Sequence, residues 1–169
     1  FILSFFFILA GATLAQDLES LRKNERDAHW AKTHFKSKRT GNTYDLVYQH
    51  MSLNIVPAVR MISGDVYSEV IALEDNFTLI SYDLTDNMIV DSVYVNEQKA
   101  EFSHFNDAVN IPVESLAEGS RFSTRIFYNG DASKSDQRAF WYDFQGDGSP
   151  VCWTLSQPYG AYGWWPCKQ

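Results

Sequence analysis

From Tyr44 onward the side chains alternate: Met51, Leu53 and Ile55 are apolar, while His50, Ser52 and Asn54 between them are polar. A period of two is how a half-buried strand divides its side chains between core and solvent. Pro57-Ala58 closes that strand, because proline withholds a backbone N–H. Further strand-like runs lie at residues 65–73, 77–84, 88–95, 108–113 and 121–128. Between them Glu74-Asp75-Asn76, Thr85-Asp86-Asn87, Asn96-Glu97-Gln98-Lys99, His104-Phe105-Asn106-Asp107 and Glu118-Gly119 each supply turn chemistry. Short strands at such regular spacing, without helices between them, predict an all-β, mainly antiparallel sheet or sandwich. Residues 131–138 read as a polar loop, and Gln145-Gly146-Asp147-Gly148-Ser149-Pro150 as a glycine-rich break before an aromatic end.

The pattern before Tyr44 differs. Residues 1–15 form an uncharged apolar run that ends in Thr13-Leu14-Ala15, which reads as a secretory signal peptide cut before Gln16. It lacks an initiator Met and a basic start, so it is expected to be incomplete. The run is shorter than the roughly 20 residues a bilayer core requires, and no other segment is expected to span, so the localisation expected is export, either secreted or periplasmic. Residues 16–43 carry Leu18, Leu21, Ala28, Ala31 and Phe35 at loosely helical spacing with Asp17 as N-cap, until Thr40-Gly41-Asn42-Thr43 breaks the pattern. Three parts are therefore expected: a signal peptide over 1–15, a helical or linker segment over 16–43, and a β-domain over 44–169.

Composition narrows the function. Apolar residues at 45% and charged residues at 21% describe a globular chain, and 15% aromatics favour strands. The formal charge of −7 argues against a nucleic-acid partner, which needs a basic face; Lys32, Lys36, Lys38 and Arg39 read instead as the solvated end of a helix. No catalytic or metal-ligating residue is expected. H-E-x-x-H is absent, and His29 and His34, five apart, point to different helix faces, with His50 and His104 far from both. There is no G-x-S-x-G elbow and no P-loop. The pairs Asp83/Asp86 and Asp143/Asp147 lie at turns, where aspartate caps backbone amides, and Asp147-Gly148 lacks the spacing of a calcium loop. Asn76-Phe77-Thr78 satisfies the N-glycosylation sequon of an exported chain.

Four of the five tryptophans, at 141, 153, 164 and 165, fall near the C-terminal end. Indole-rich sequence at a terminus needs a surface to pack against. Either it is a seam severed from a further domain, or it folds back onto its own core. Cys152 and Cys167 flank the segment; export allows one disulfide between them, and two buried thiols are the alternative.

Thr154-Leu155-Ser156-Gln157-Pro158-Tyr159-Gly160-Ala161, followed by Trp164-Trp165-Pro166-Cys167-Lys168, resembles the stretch that ends the N-terminal β-domain of zinc aminopeptidases of the aminopeptidase N family, particularly exported bacterial-type members. Tyr44-Asp45-Leu46, Pro57-Ala58-Val59-Arg60, Ile62-Ser63-Gly64 and Tyr82-Asp83-Leu84-Thr85-Asp86-Asn87-Met88 are similar too, in the family's order. The resemblance implies a saddle-shaped antiparallel β-domain whose partner is a zinc-bearing catalytic domain of the same chain, beyond Gln169. It also implies that Gln157 contacts the free amine of a peptide substrate. A side-chain carbonyl accepts a hydrogen bond from that amine; many relatives have Glu there, so the ion-pair contribution is missing. Tyr162 stands where the family commonly has Arg. By this reading the chain positions substrate for an exported zinc metalloaminopeptidase, holds no zinc of its own, and is not active alone. Two other readings are an autonomous secreted carbohydrate- or protein-binding module that uses Trp141, Trp153, Trp164 and Trp165 as a platform, and a catalytically dead relative serving as an interaction domain.

Overall fold

The structure is a computed structural model that describes residues 22, 23, 26, 42–135, 139–156 and 159–168. The signal-peptide expectation and nearly all of the 16–43 segment lie outside the described residues; Arg22, Lys23 and Arg26 are helical and exposed. Among the described residues ten strands follow: β1 Tyr44–Val56, β2 Met61–Ala72, β3 Phe77–Asp83, β4 Met88–Val95, β5 Gln98–Ala100, β6 Ser103–Phe105, β7 Ala108–Leu116, β8 Arg121–Gly130, β9 Phe140–Phe144 and β10 Pro150–Thr154. They make a five-stranded sheet in the order β1-β2-β8-β4-β5, a three-stranded sheet β3-β7-β6 and a two-stranded hairpin β10-β9. Every ladder is antiparallel, so the all-β antiparallel expectation holds.

The core lies between the first two sheets. Alternate residues of β2 (Ile62, Val66, Val70), β8 (Phe122, Ile126, Tyr128) and β4 (Met88, Val93) are buried against Ile80 and Tyr82 of β3 and Val109 and Ile111 of β7. Burial of apolar surface at roughly 25 cal/mol per Å² makes this cluster the main source of stability. Its polar atoms are paired: the Tyr82 hydroxyl lies 2.7 Å from Thr124 Oγ1, and Tyr44 donates to the Ser81 carbonyl at 2.7 Å. Burial pushes the Tyr82 phenol up to about 12, opposed in part by its bonds to Thr124 and Ser68, since desolvation disfavours the phenolate.

Six strands fall where alternation predicts them, with three differences. β2 begins at Met61 instead of residue 65, because Ile62–Gly64 pair with β1 on one side and β8 on the other. The expected four-residue turns at 96–99 and 104–107 shrink to Asn96-Glu97 and Asn106-Asp107, all four at positive φ. These are the tight connections a hairpin twist favours, and they release β5 and β6 to pair. β9 and β10 carry no period-two signal that separates them from the aromatic segment around them. On β1, Met51, Leu53 and Ile55 share the core-facing side, opposite Val66, Gly64 and Ile62. β1 is the sheet edge, so only Leu53 packs on the core, while Met51 and Ile55 stay 42% and 38% exposed.

Candidate functional site

The glycine-rich break at 145–150 is the hairpin loop between β9 and β10, closed by Gln145 N–H to the Ser149 carbonyl at 2.9 Å. Asp147 accepts from Ser149 N–H at 2.9 Å and Asp143 from Phe144 N–H at 2.8 Å; the backbone and hydroxyl bonds from Ser149 lower the Asp147 carboxyl below its ordinary range. Asp86 and Asp107 exchange backbone-to-carboxylate bonds at 3.1 and 2.9 Å, tying the β3–β4 loop to the β6–β7 turn. These aspartates spend their lone pairs on amides, which is turn chemistry. His50 is exposed on β1, and His104 places Nε2 3.1 Å from the Leu84 carbonyl oxygen. Among the described residues no three His, Cys, Asp or Glu side chains converge as a metal site would require. His29 and His34 lie outside the described residues.

The hairpin presents two faces. Phe140 and Tyr142 turn inward, Phe140 against Trp164 with ring centroids 5.5 Å apart. Outward, Trp141 and Trp153, directly opposite in register, stack at 6.1 Å and 10°. Burial, aided by Asp131 and Cys152, pushes the Tyr142 phenol up to about 12. The loop after β10 is then pinned from both ends. Leu155 N–H donates to the Ala139 carbonyl at 3.0 Å, Gly160 N–H to the Ser156 carbonyl at 2.7 Å, and Trp164 Nε1 to Ser156 Oγ at 2.9 Å. Gly160 is needed for closeness: a Cβ there would stand 2.7 Å from the Ala139 Cβ. Gln157 and Pro158, which this loop contains, lie outside the described residues.

Beyond the loop the chain is laid across the sandwich. Thr85 N–H donates to the Tyr162 carbonyl at 2.9 Å, Tyr128 to the Trp164 carbonyl at 3.0 Å, and Gln49 to the Pro166 carbonyl at 3.1 Å. Cys167 pairs with Asp83 through both backbone bonds, at 2.7 and 3.0 Å, and Lys168 Nζ donates to the Tyr44 carbonyl and lies 4.4 Å over its ring. Trp164 and Trp165 are partly buried against the core, as the reading in which the segment folds back onto its own core expects. The apolar surface left outside includes Trp153, Leu155 and Tyr159, with Val59 of the 3-10 turn Pro57–Val59, beside β10, 67% exposed. No disulfide joins Cys152, on β10, to Cys167, in the bridge to Asp83.

Among the described residues no helix is long and apolar enough to cross a membrane. No family model matches the chain, and no curated protein matches its sequence. Solved structures do. An M1 zinc metallopeptidase point mutant from Deinococcus radiodurans is 25% identical with a TM-score of 0.65, over 81% of this chain and 31% of that one. The same enzyme bound to a Tyr-Ser-Ala substrate gives 22% and 0.61, over 81% and 32%. Leukotriene A4 hydrolase from Saccharomyces cerevisiae gives 15% and 0.61, over 80% and 23%. The chain thus spans about a quarter to a third of the length of these structures. These matches give the β-domain the fold of the N-terminal domain of M1 zinc metallopeptidases.

Proposed function

We propose that this chain is the N-terminal substrate-positioning domain of an exported zinc metalloaminopeptidase that removes N-terminal residues from peptides. The observation that carries the reading is the fold match, which covers four-fifths of this chain and under a third of the similar enzyme. The partner is then a zinc-bearing domain of the same chain, and the exposed Val59, Trp153, Leu155 and Tyr159 surface is where it would dock. Zinc would supply an activated water in that domain. The part of this chain is to hold Gln157, between the pinned residues Ser156 and Gly160, so that its amide oxygen accepts a hydrogen bond from the protonated α-amine of a peptide. Such a bond to a charged group is worth roughly 1.5–3 kcal/mol.

The test has two stages. Reading the gene past Gln169 should find an open frame running into H-E-x-x-H and a downstream Glu; a stop codon there would remove the reading. In the complete enzyme, Gln157→Ala should lower kcat/KM for free-amine peptides about 10- to 100-fold, with Gln157→Glu retaining activity. Unchanged kinetics in Gln157→Ala would take Gln157 out of the site.

A further inference from the structure

The face of the five-stranded sheet opposite the core carries a second set of organised side chains. Register places His50, Tyr67, Arg125, Tyr94 and Lys99 in one cross-strand row, one residue from each strand. The Arg125 guanidinium lies 5.5 Å over the Tyr67 ring and 3.7 Å from Asp65. Tyr94 and Phe127 meet edge to face at 5.8 Å. Two neighbouring cavities open here. One, of about 240 Å³, is lined by Tyr67, Tyr94, Glu97, Ser123, Arg125 and Phe127. The other, of about 220 Å³, shares Tyr67 and Ser123 and adds Val47, Glu69, Val70, Asn96, Arg121 and Phe122. Each cavity is thus offered one arginine, one glutamate and the common Tyr67 ring.

Glu97 is held there against its backbone preference. It occupies the second position of the two-residue β4–β5 turn at φ 67, after Asn96 at φ 47, where glycine is the ordinary residue. The turn is clamped to β8 by Asn96 N–H to the Ser123 carbonyl and Ser123 N–H to Asn96 Oδ1, both 2.9 Å. The turn thus fixes Glu97 at the rim of the cavity it lines.

The charges select the ligand. Each cavity is lined by one arginine and one glutamate, and Asp65 adjoins Arg125, so neither a free anion nor a cation is favoured. A neutral ring bearing hydroxyls suits both: its C–H face stacks on tyrosine, and its hydroxyls donate to glutamate and accept from arginine. Each volume is below the roughly 300–1,000 Å³ of drug-sized pockets, room for a single ring. We propose that this sheet face binds a neutral oligosaccharide, one pyranose to each cavity, with Tyr67 between them. The inference is independent of the peptidase reading.

The 169-residue chain is run through native gels containing laminarin, galactomannan, xylan or alginate. Retardation by a neutral polysaccharide is expected, and Tyr67→Ala, with an unchanged near-UV circular dichroism spectrum, should abolish it. Glu97→Gly provides a variant that does not endanger folding: it should weaken binding about tenfold, the effect of one lost charge-assisted hydrogen bond, while the melting temperature holds or rises. A structural role for Glu97 would move stability without moving binding. No retardation by any neutral polysaccharide, retardation by alginate alone that vanishes at high salt, or binding that survives Tyr67→Ala each overturns the proposal. Loss of binding in Trp153→Ala instead would put the sugar on the hairpin and overturn it equally.

Discussion

The sandwich core and the segment from β9 to Lys168 are both rich in aromatic rings, yet they use them differently. In the sandwich, Phe77, Tyr82, Phe122 and Tyr128 are enclosed between two sheets, and the Tyr82 hydroxyl finds its partner inside. In the terminal segment the rings are divided. Phe140 and Trp164 face inward, while Trp153 looks out. There the inward side is less fully satisfied, for the Tyr142 hydroxyl and Trp165 Nε1 are buried without a hydrogen-bond partner among the described residues. The same residue types therefore give a closed, self-sufficient layer in one region and a strap with a spare surface in the other. Whether a ring is covered on one side or both depends on how many sheets flank it.

That contrast can be broken most directly in the core. Ile126→Ala, in the central strand β8, should cost roughly 2–5 kcal/mol in a urea titration; a cost under about 1 kcal/mol would mean that the two sheets do not close on it. Alkaline pH should expose the same region next. The Tyr82 phenol stands at about 12 in the folded chain against an ordinary 10.0, so the folded state holds its proton where the unfolded state releases it. The stability this group contributes is fully present below pH 10 and is lost as pH rises from about 10 to 12, by roughly 2–3 kcal/mol. Denaturation midpoints followed with phenolate absorbance would check this. Tyr82→Phe should shrink the fall without erasing it, because burial also raises Tyr128 and Tyr142.

The strap gives smaller effects. Trp164→Phe keeps an aromatic ring but deletes the bond from Nε1 to Ser156 and part of the indole's packing, with an expected loss of about 1–2 kcal/mol and faster amide exchange at Gly160. Trp153→Ala should cost about 0.5–1.5 kcal/mol, the worth of its stack on Trp141, since the rest of the indole is exposed. A cost of several kcal/mol would make the hairpin part of the core and erase the distinction.

Much of the fold is legible in the chain because alternation reports directly on which side of a sheet is buried: β3, β4 and β8 begin at the residues the pattern picks. Gln98–Ala100 and Ser103–Phe105 were not legible, since three residues carry no period and their turns depend on Asn and Asp taking positive φ. The exposure of Met51 and Ile55 was equally hidden, because alternation gives a residue's face but not its distance from the sheet edge. At the candidate site the sequence singles out Gln157 through a resemblance. The bonds that pin its neighbours, from Trp164 to Ser156 and from Leu155 to Ala139, join residues 8 to 16 apart and follow no local rule. Glu97 was readable only as part of a turn.

By itself the sequence determined an antiparallel β-domain beginning at Tyr44, because strand period and turn chemistry are local. It also determined which side chains share a face. Tertiary structure decided the sheet order β1-β2-β8-β4-β5, the division of the tryptophans between inside and outside, and the pairing of Arg125 with Tyr67 across strands. Those depend on contacts between residues dozens of positions apart, where the energy comes from packing two layers together and no short stretch of sequence contains both.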